Sequence, residues 1–317
     1  MEMAEASGIT LVEEPLNPWK ATSTGVGEMI LDAVQKGCRK FIIGIGGSAT
    51  TEGGIGMLSA LGYDFMDENG DRLPPVFDSL EKVVQIKNNR VPEVLKDCHF
   101  QIACDVTNSL CGSQGCVYVF GSQKGVKEEE KESMDKAMQS YATCLEKFTG
   151  KKLSDIPGTG AAGGLGFAFL WGLPKVKLKP GIDIVLEAVG LTNELKDADV
   201  VVTGEGCLDF QTAMGKVPVG VAKTAKNYNC KVIAFAGSVT EEAKKCNEKG
   251  IDAFFSILPG VCSLDEAMDT EIAQKNMRNA AEQVFRLVFG LWEGKIFFTS
   301  INSLAIIHSK HNIFQYF

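Results

Sequence analysis

The chain lacks a GxxxxGK[ST] loop, which disfavours a P-loop nucleotide-binding fold. Its ten cysteines include no CxxC pair, and the nearest spacing, Cys111 and Cys116, falls inside a glycine-rich loop. They are expected to be reduced thiols. Histidine is scarce, with only His99, His308 and His311, so a structural zinc site is not expected. No stretch of about 20 apolar residues is present, and the longest nearly apolar run, 161–174, is broken by glycines, so no membrane anchor is expected. The opening MEMAEASGIT has neither a basic nor an apolar signal region, and a cytoplasmic location is the expectation. A net charge of -8 argues against a nucleic-acid or anionic-membrane footprint, which needs clustered Lys and Arg. An anionic substrate would need a local pocket.

With 45% apolar and 23% charged residues, the composition is that of a folded globular protein rather than a disordered one. Its 317 residues suit two lobes better than one. RKFIIGI (39–45) is a continuous apolar run that fits a strand covered on both faces of a parallel sheet. Before it, 24–37 carries Val26, Ile30, Ala33 and Val34 at helical spacing and ends on Gly37. DVVVT (199–203), KVIAFA (231–236) and IDAFFSI (251–257) repeat the strand pattern, with helical stretches at 218–227 and 240–249 between them. A helix is expected over 264–288, opened by a capping box of Ser263 and Glu266.

The stretch 62–190 differs in texture. It carries turn clusters, expected strands at 100–104 and 116–120, and a helix with Met134, Met138, Tyr141, Leu145 and Phe148 on one face, which is expected to be core. The expected fold class is α/β, a Rossmann-like doubly wound parallel sheet with a second α/β domain inserted. Residues 1–61 and 191–289 would form the first domain and 62–190 the inserted one.

Three glycine-rich loops stand at or near expected strand ends: GIGGSATTEGGIG (44–56), GTGAAGGLG (158–166) and TGEGCLDFQTAMGK (203–216). Ligands of open α/β sheets bind beyond the carboxyl ends of strands, where glycine admits close backbone approach and helix N-termini offer free N–H groups. Each loop alone also reads as a simple chain reversal. The third brings Glu205, Asp209, Gln211, Thr212 and Lys216 into one turn. Asp105 closes an apolar run and reads equally as a functional acid or a cap, and Lys124 sits in FGSQKG as a phosphate contact or a solvated charge.

Together IIGIGGSATTEGGIGMLSALG, CDVTNSLCGSQG with FGSQKG, GTGAAGGLGFA and DVVVTGEGCLDFQTAMGKVPVGVA resemble the two-domain glycerate kinases of the bacterial glycerate-utilisation type. The resemblance runs over about 1–288 with the loops in family order. It implies ATP-dependent, magnesium-assisted phosphorylation of D-glycerate, usually to the 2-phosphate, in the cytoplasm. Family members begin with a βα segment bearing an aspartate-serine-phenylalanine-lysine motif, so the family's first strand is expected to be missing. Ser109, Cys111 and Ser122 depart from the usual family residues, and 290–317 is expected to be a tail unlike the family.

Phosphoryl transfer needs a phosphate cradle, a cation with carboxylate ligands and a proton acceptor. Gly46, Gly47, Ser48 and Thr50 are assigned to the cradle or the glycerate carboxylate, with Gly204 and Gln211 as further binding residues. Asp209 is the first choice for base or metal ligand and Asp105 the second. Lys216 and Lys124 would neutralise phosphate or carboxylate, and Glu205 with Asp209 would hold Mg2+. A nicotinamide-dependent oxidoreductase and an inactive kinase remnant remain as rival readings.

Overall fold

The run read as the first strand does form one, and it joins partners far along the chain. In a computed structural model that describes residues 1–289 and 304–307, β1 (Lys40–Gly44) is followed by the antiparallel pair β2 (Asp64–Met66) and β3 (Gln85–Lys87), then by β4 (His99–Ala103) and β5 (Val176–Lys179). β1, β4 and β5 form a parallel sheet in the order β1, β4, β5. The register sets Phe41 beside Phe100 and Ile43 beside Ile102, and the two phenylalanine rings stack at 4.8 Å. All four side chains are buried, whereas Ile42 is 47% exposed. β1 therefore alternates in burial, where the sequence pattern predicts cover on both faces. The core lies on the Phe41 and Ile43 face and includes Val26, Ile30 and Val34 of the helix Thr24–Gln35.

The amphipathic helix is Lys131–Thr149, closed by Gly150 in the left-handed conformation. Met134, Met138, Tyr141 and Leu145 are fully buried as expected, and each would cost about 2–5 kcal/mol on truncation to alanine. Phe148, at 45% exposure, falls at the edge of the stripe. Residues Cys116–Phe120 form a short helix rather than the expected strand. Tertiary packing overrides the β-propensity of Val-Tyr-Val there, because the helix buries Cys116 and Val117 on one side.

The contacts divide the chain into two units, 1–184 and 185–317. The expected grouping joined 1–61 with 191–289. In the sheet of the first unit β1 lies beside β4, with Lys40 opposite His99, and β4 lies beside β5, with Phe100 opposite Val176, long-range parallel pairings that local sequence pattern does not encode.

In the second unit β6 (Val200–Leu208), β7 (Lys231–Val239) and β8 (Ala253–Ser256) are parallel, in the order β8, β7, β6. β9 (Leu304–Ile307) pairs antiparallel with β6 on its other edge. The rest of the tail expected to be unlike the family, 290–303 and 308–317, lies outside the described residues. Val200, Val202, Ile233 and Phe235 pack with Ala281, Val284 and Phe285 of the helix Thr270–Phe289. The capping box forms as read: the Ser263 hydroxyl accepts from the Glu266 N–H at 3.2 Å, and Glu266 Oε2 accepts from the Ser263 N–H at 2.9 Å. The helix it opens is Leu264–Met268 only, because Asp269 is extended and its Oδ1 caps the next helix through the N–H groups of Glu271 and Ile272. No helix among the described residues is long and apolar enough to cross a membrane.

Candidate active site

In the first unit the turn after β1 (Ile45 to Ser48) and the residues after β4 (Cys104 to Val106) wall a cavity of about 510 Å³, with Gln123 and Lys124 closing a further side. This is the carboxyl end of a parallel sheet, where adjacent strand ends leave a crevice. Gly46 and Gly47 expose backbone to it, Asp105 and Ser48 bring polar side chains, and Lys124 brings the cation.

Lys124 is 2% exposed. Its Nζ donates to the Ser48 hydroxyl at 2.7 Å and to the Thr50 carbonyl at 2.7 Å. Burial lowers its ammonium from the ordinary 10.5 to about 8, opposed by Cys116 and Glu52. The charge thus sits where water screens it little and where an anion entering the cavity would feel it strongly. Asp105 is held differently: its Oδ1 accepts from the Gly181 N–H at 2.8 Å, at the start of the helix Gly181–Ala188. Thr50, assigned to the cradle, does not line the cavity. It is fully buried, its carbonyl accepts a hydrogen bond from Lys124 Nζ, and its Oγ1 has no hydrogen-bond partner among the described residues.

In the second unit the turn after β6 forms one network. Asp209 caps the short helix Phe210–Ala213, its carboxylate accepting from the Thr212 N–H at 3.0 Å. The fully buried Thr212 hydroxyl accepts from the Asp209 N–H at 3.2 Å and donates to Glu205. Lys216 Nζ stands 3.7 Å from Asp209 Oδ1. The backbone hydrogen bond from Thr212, aided by Lys216, holds the Asp209 carboxyl below the ordinary carboxylate range. Gly204 has a packing role here, since a Cβ on it would stand 2.2 Å from the Phe235 carbonyl oxygen. Gln211 is exposed on the short helix.

A model of the glycerate kinase family matches residues 1–289. The chain belongs to that family. The kinase is 42% identical over 287 residues to the glycerate kinase of Bacillus subtilis, covering 90% of this chain and 75% of that one. It is 44% identical over 268 residues to the glycerate 2-kinase of Escherichia coli, covering 84% and 70%. A solved structure from Salmonella typhimurium LT2, named provisionally as glycerate kinase 2, superposes with a TM-score of 0.79 at 42% identity, over 90% of this chain and 74% of that one.

The residues singled out in the kinase therefore fall into two groups. Gly46, Gly47, Ser48, Asp105 and Lys124 share the cavity of the first unit, and Glu205 near the end of β6 joins Asp209 and Lys216 of the turn after it in the network of the second. Sequence reasoning passed over Glu52, a buried acid whose only signal was its place in a glycine-rich loop before an apolar helix. It also gave Thr212 no role, although that hydroxyl joins the two acids of its turn. Among the described residues no group of three or more His, Cys, Asp and Glu is set to hold a metal. Glu205 and Asp209, joined through Thr212, are the two carboxylates of this network that could meet a magnesium ion, which takes one or two carboxylates and draws its other ligands from water and substrate phosphates.

Proposed function

We propose that the chain transfers the γ-phosphate of ATP to a hydroxyl of D-glycerate, with 2-phosphoglycerate the favoured product. The observation that carries this reading is the buried Lys124 ammonium in a cavity of about 510 Å³ at the strand ends, a polar anchor of the size and sign a small hydroxy acid needs. The family match and the relatives named glycerate kinase support glycerate as the acceptor, and phosphoryl transfer of this kind takes a nucleoside triphosphate as donor.

Lys124 and Ser48, with the Gly46 and Gly47 backbone, bind the anionic end of the acceptor or of the transferred group. Lys216 neutralises phosphate charge. Glu205 and Asp209 would hold Mg2+, which supplies charge neutralisation to the phosphates. Because its turn stabilises the ionised form, Asp209 suits a metal or charge-stabilising role better than proton acceptance. Asp105, which lines the Lys124 cavity, is then the candidate to accept the hydroxyl proton.

A coupled ADP-release assay over a panel of small hydroxy acids, with product position read by phosphorus NMR, tests the reading. ADP release that depends on D-glycerate and a signal at the 2-phosphate are expected. Equal release without any acid would refute it.

A further inference from the structure

Behind the cavity wall, one turn is built around an acid that does not face the cavity. Glu52 is fully buried and both its carboxylate oxygens accept hydrogen bonds. Oε1 accepts from the Ser23 N–H at 2.8 Å, the Gly56 N–H at 3.2 Å and the Ser23 hydroxyl, and Oε2 from the Gly54 N–H at 3.2 Å. The Ser23 hydroxyl in turn accepts from the Met57 N–H at 2.9 Å, so its own proton goes to Glu52. A protonated carboxyl would need an acceptor, and this shell contains only donors. Burial raises the Glu52 carboxyl, and the bonds from Ser23, Gly54 and Gly56 oppose that rise. The donor-only shell favours the carboxylate.

Two residues upstream, the Thr50 carbonyl receives the Lys124 ammonium at 2.7 Å. The turn that Glu52 ties down is thus the turn that holds the cation. Two groups favour the charged form of Lys124, Cys116 and Glu52. Burial pushes the Cys116 thiol up to about 12, so it is neutral at ordinary pH. Asp135 acts on that thiol, the buried Tyr141 phenol is raised and neutral beside Glu52, and Asp105 lies at the exposed side of the cavity. Of the two groups that act on Lys124 directly, Glu52 is the standing charge, while the buried Asp135 acts on the Cys116 thiol.

We propose that Glu52 is a positioning residue for the cavity: its buried charge keeps Lys124 protonated, and its hydrogen bonds fix the turn whose Thr50 carbonyl Lys124 holds. The consequence for turnover rests on the reading of the cavity as the substrate site. The charge coupling itself does not.

The test follows the Lys124 titration in the full chain by NMR of 13Cε-labelled lysine, assigned with Lys124→Arg, beside the pH profile of kcat/KM for D-glycerate. In Glu52→Gln the Lys124 midpoint is expected to fall by about one pH unit, since a nearby buried charge is worth that much or more. The alkaline limb of kcat/KM should move to lower pH by the same amount. Glu52→Asp, which keeps the anion, should hold both near the parent values. An unmoved midpoint in folded Glu52→Gln overturns the proposal. So does a fall of a full unit in folded Glu52→Asp, and that variant decides the matter if Glu52→Gln does not fold. A midpoint that moves without any change in glycerate turnover leaves the coupling standing and removes the substrate reading instead.

Discussion

Gly163 lies so close to the carbonyl oxygen of Thr50 that a Cβ added to it would stand 2.0 Å away. The same residue has φ of +66° and accepts from the Gly53 N–H at 2.9 Å, so two glycine-rich loops interlock at this point. Gly163→Ala is expected to cost ~3 kcal/mol or more, from the left-handed backbone and a clash with main-chain atoms that cannot swing aside. Gly46→Ala is the contrast: nothing lies within 4 Å of its added Cβ, yet Gly46 lines the cavity. It should unfold in urea like the parent while KM for glycerate rises. Equal stability of the two variants would show that the loops do not lock there.

The Lys124 ammonium, lowered by burial from 10.5 to about 8, gives opposite signs for binding and for folding. Below pH 8 the native and unfolded chains both hold this proton. Between about 8 and 10.5 the unfolded chain holds a proton the native site has released, so this group makes stability rise with pH. Binding of an anionic acceptor should weaken over the same range. KM for glycerate measured from pH 6.5 to 9.5 should climb above pH 8, with no matching loss of melting temperature. A flat KM would mean that Lys124 does not meet the substrate.

Local pattern made much of this legible. Val200 to Thr203, Lys231 to Ala236 and Phe100 to Ala103 lie in strands where apolar runs predict them, and Ser263 with Glu266 makes its capping box because both partners lie within four residues. What escaped depends on distance along the chain. Lys124 could be read as a phosphate contact or a solvated charge until its bonds to Ser48 and Thr50, 76 and 74 residues away, showed it buried. Glu52 has its main partner at Ser23, 29 residues upstream, and its glycine-rich surroundings gave no hint that an acid there was enclosed. The pairing of β1 with β4 was hidden for the same reason, since apolar runs announce strands but not their neighbours.

Cys111, half-buried, and Cys116, buried, should behave as separate thiols. Both are free, and burial raises both well above the ordinary range, so their thiolate fractions at neutral pH are negligible. Melting with and without reductant should coincide. Alkylation of the folded protein at pH 8 should reach the exposed Cys38 and Cys262 first, with Cys116 modified only after unfolding. Rapid modification of Cys116 in the native state would contradict its enclosure.

Asp209 offers the sharpest separation of charge from structure, because its side chain performs two tasks that a single substitution divides. As a cap it accepts from the Thr212 N–H at 3.0 Å, and as a charge it faces Lys216 at 3.7 Å. Asparagine caps a helix about as well as aspartate, so Asp209→Asn should leave unfolding within ~0.5 kcal/mol of the parent. Asp209→Ala removes the cap too and should cost about 1 kcal/mol. If the carboxylate serves magnesium or the developing charge, both variants should lose at least ~100-fold in kcat, the scale found when one positioned charge or donor is removed. The comparison also tests the role itself. A metal ligand lost in Asp209→Asn should raise the magnesium concentration needed for half-maximal rate, whereas a lost proton acceptor should leave that requirement unchanged and flatten the acidic limb of the pH profile. Near-parental turnover in Asp209→Asn would take Asp209 out of the chemistry and leave it as a cap for four residues of helix.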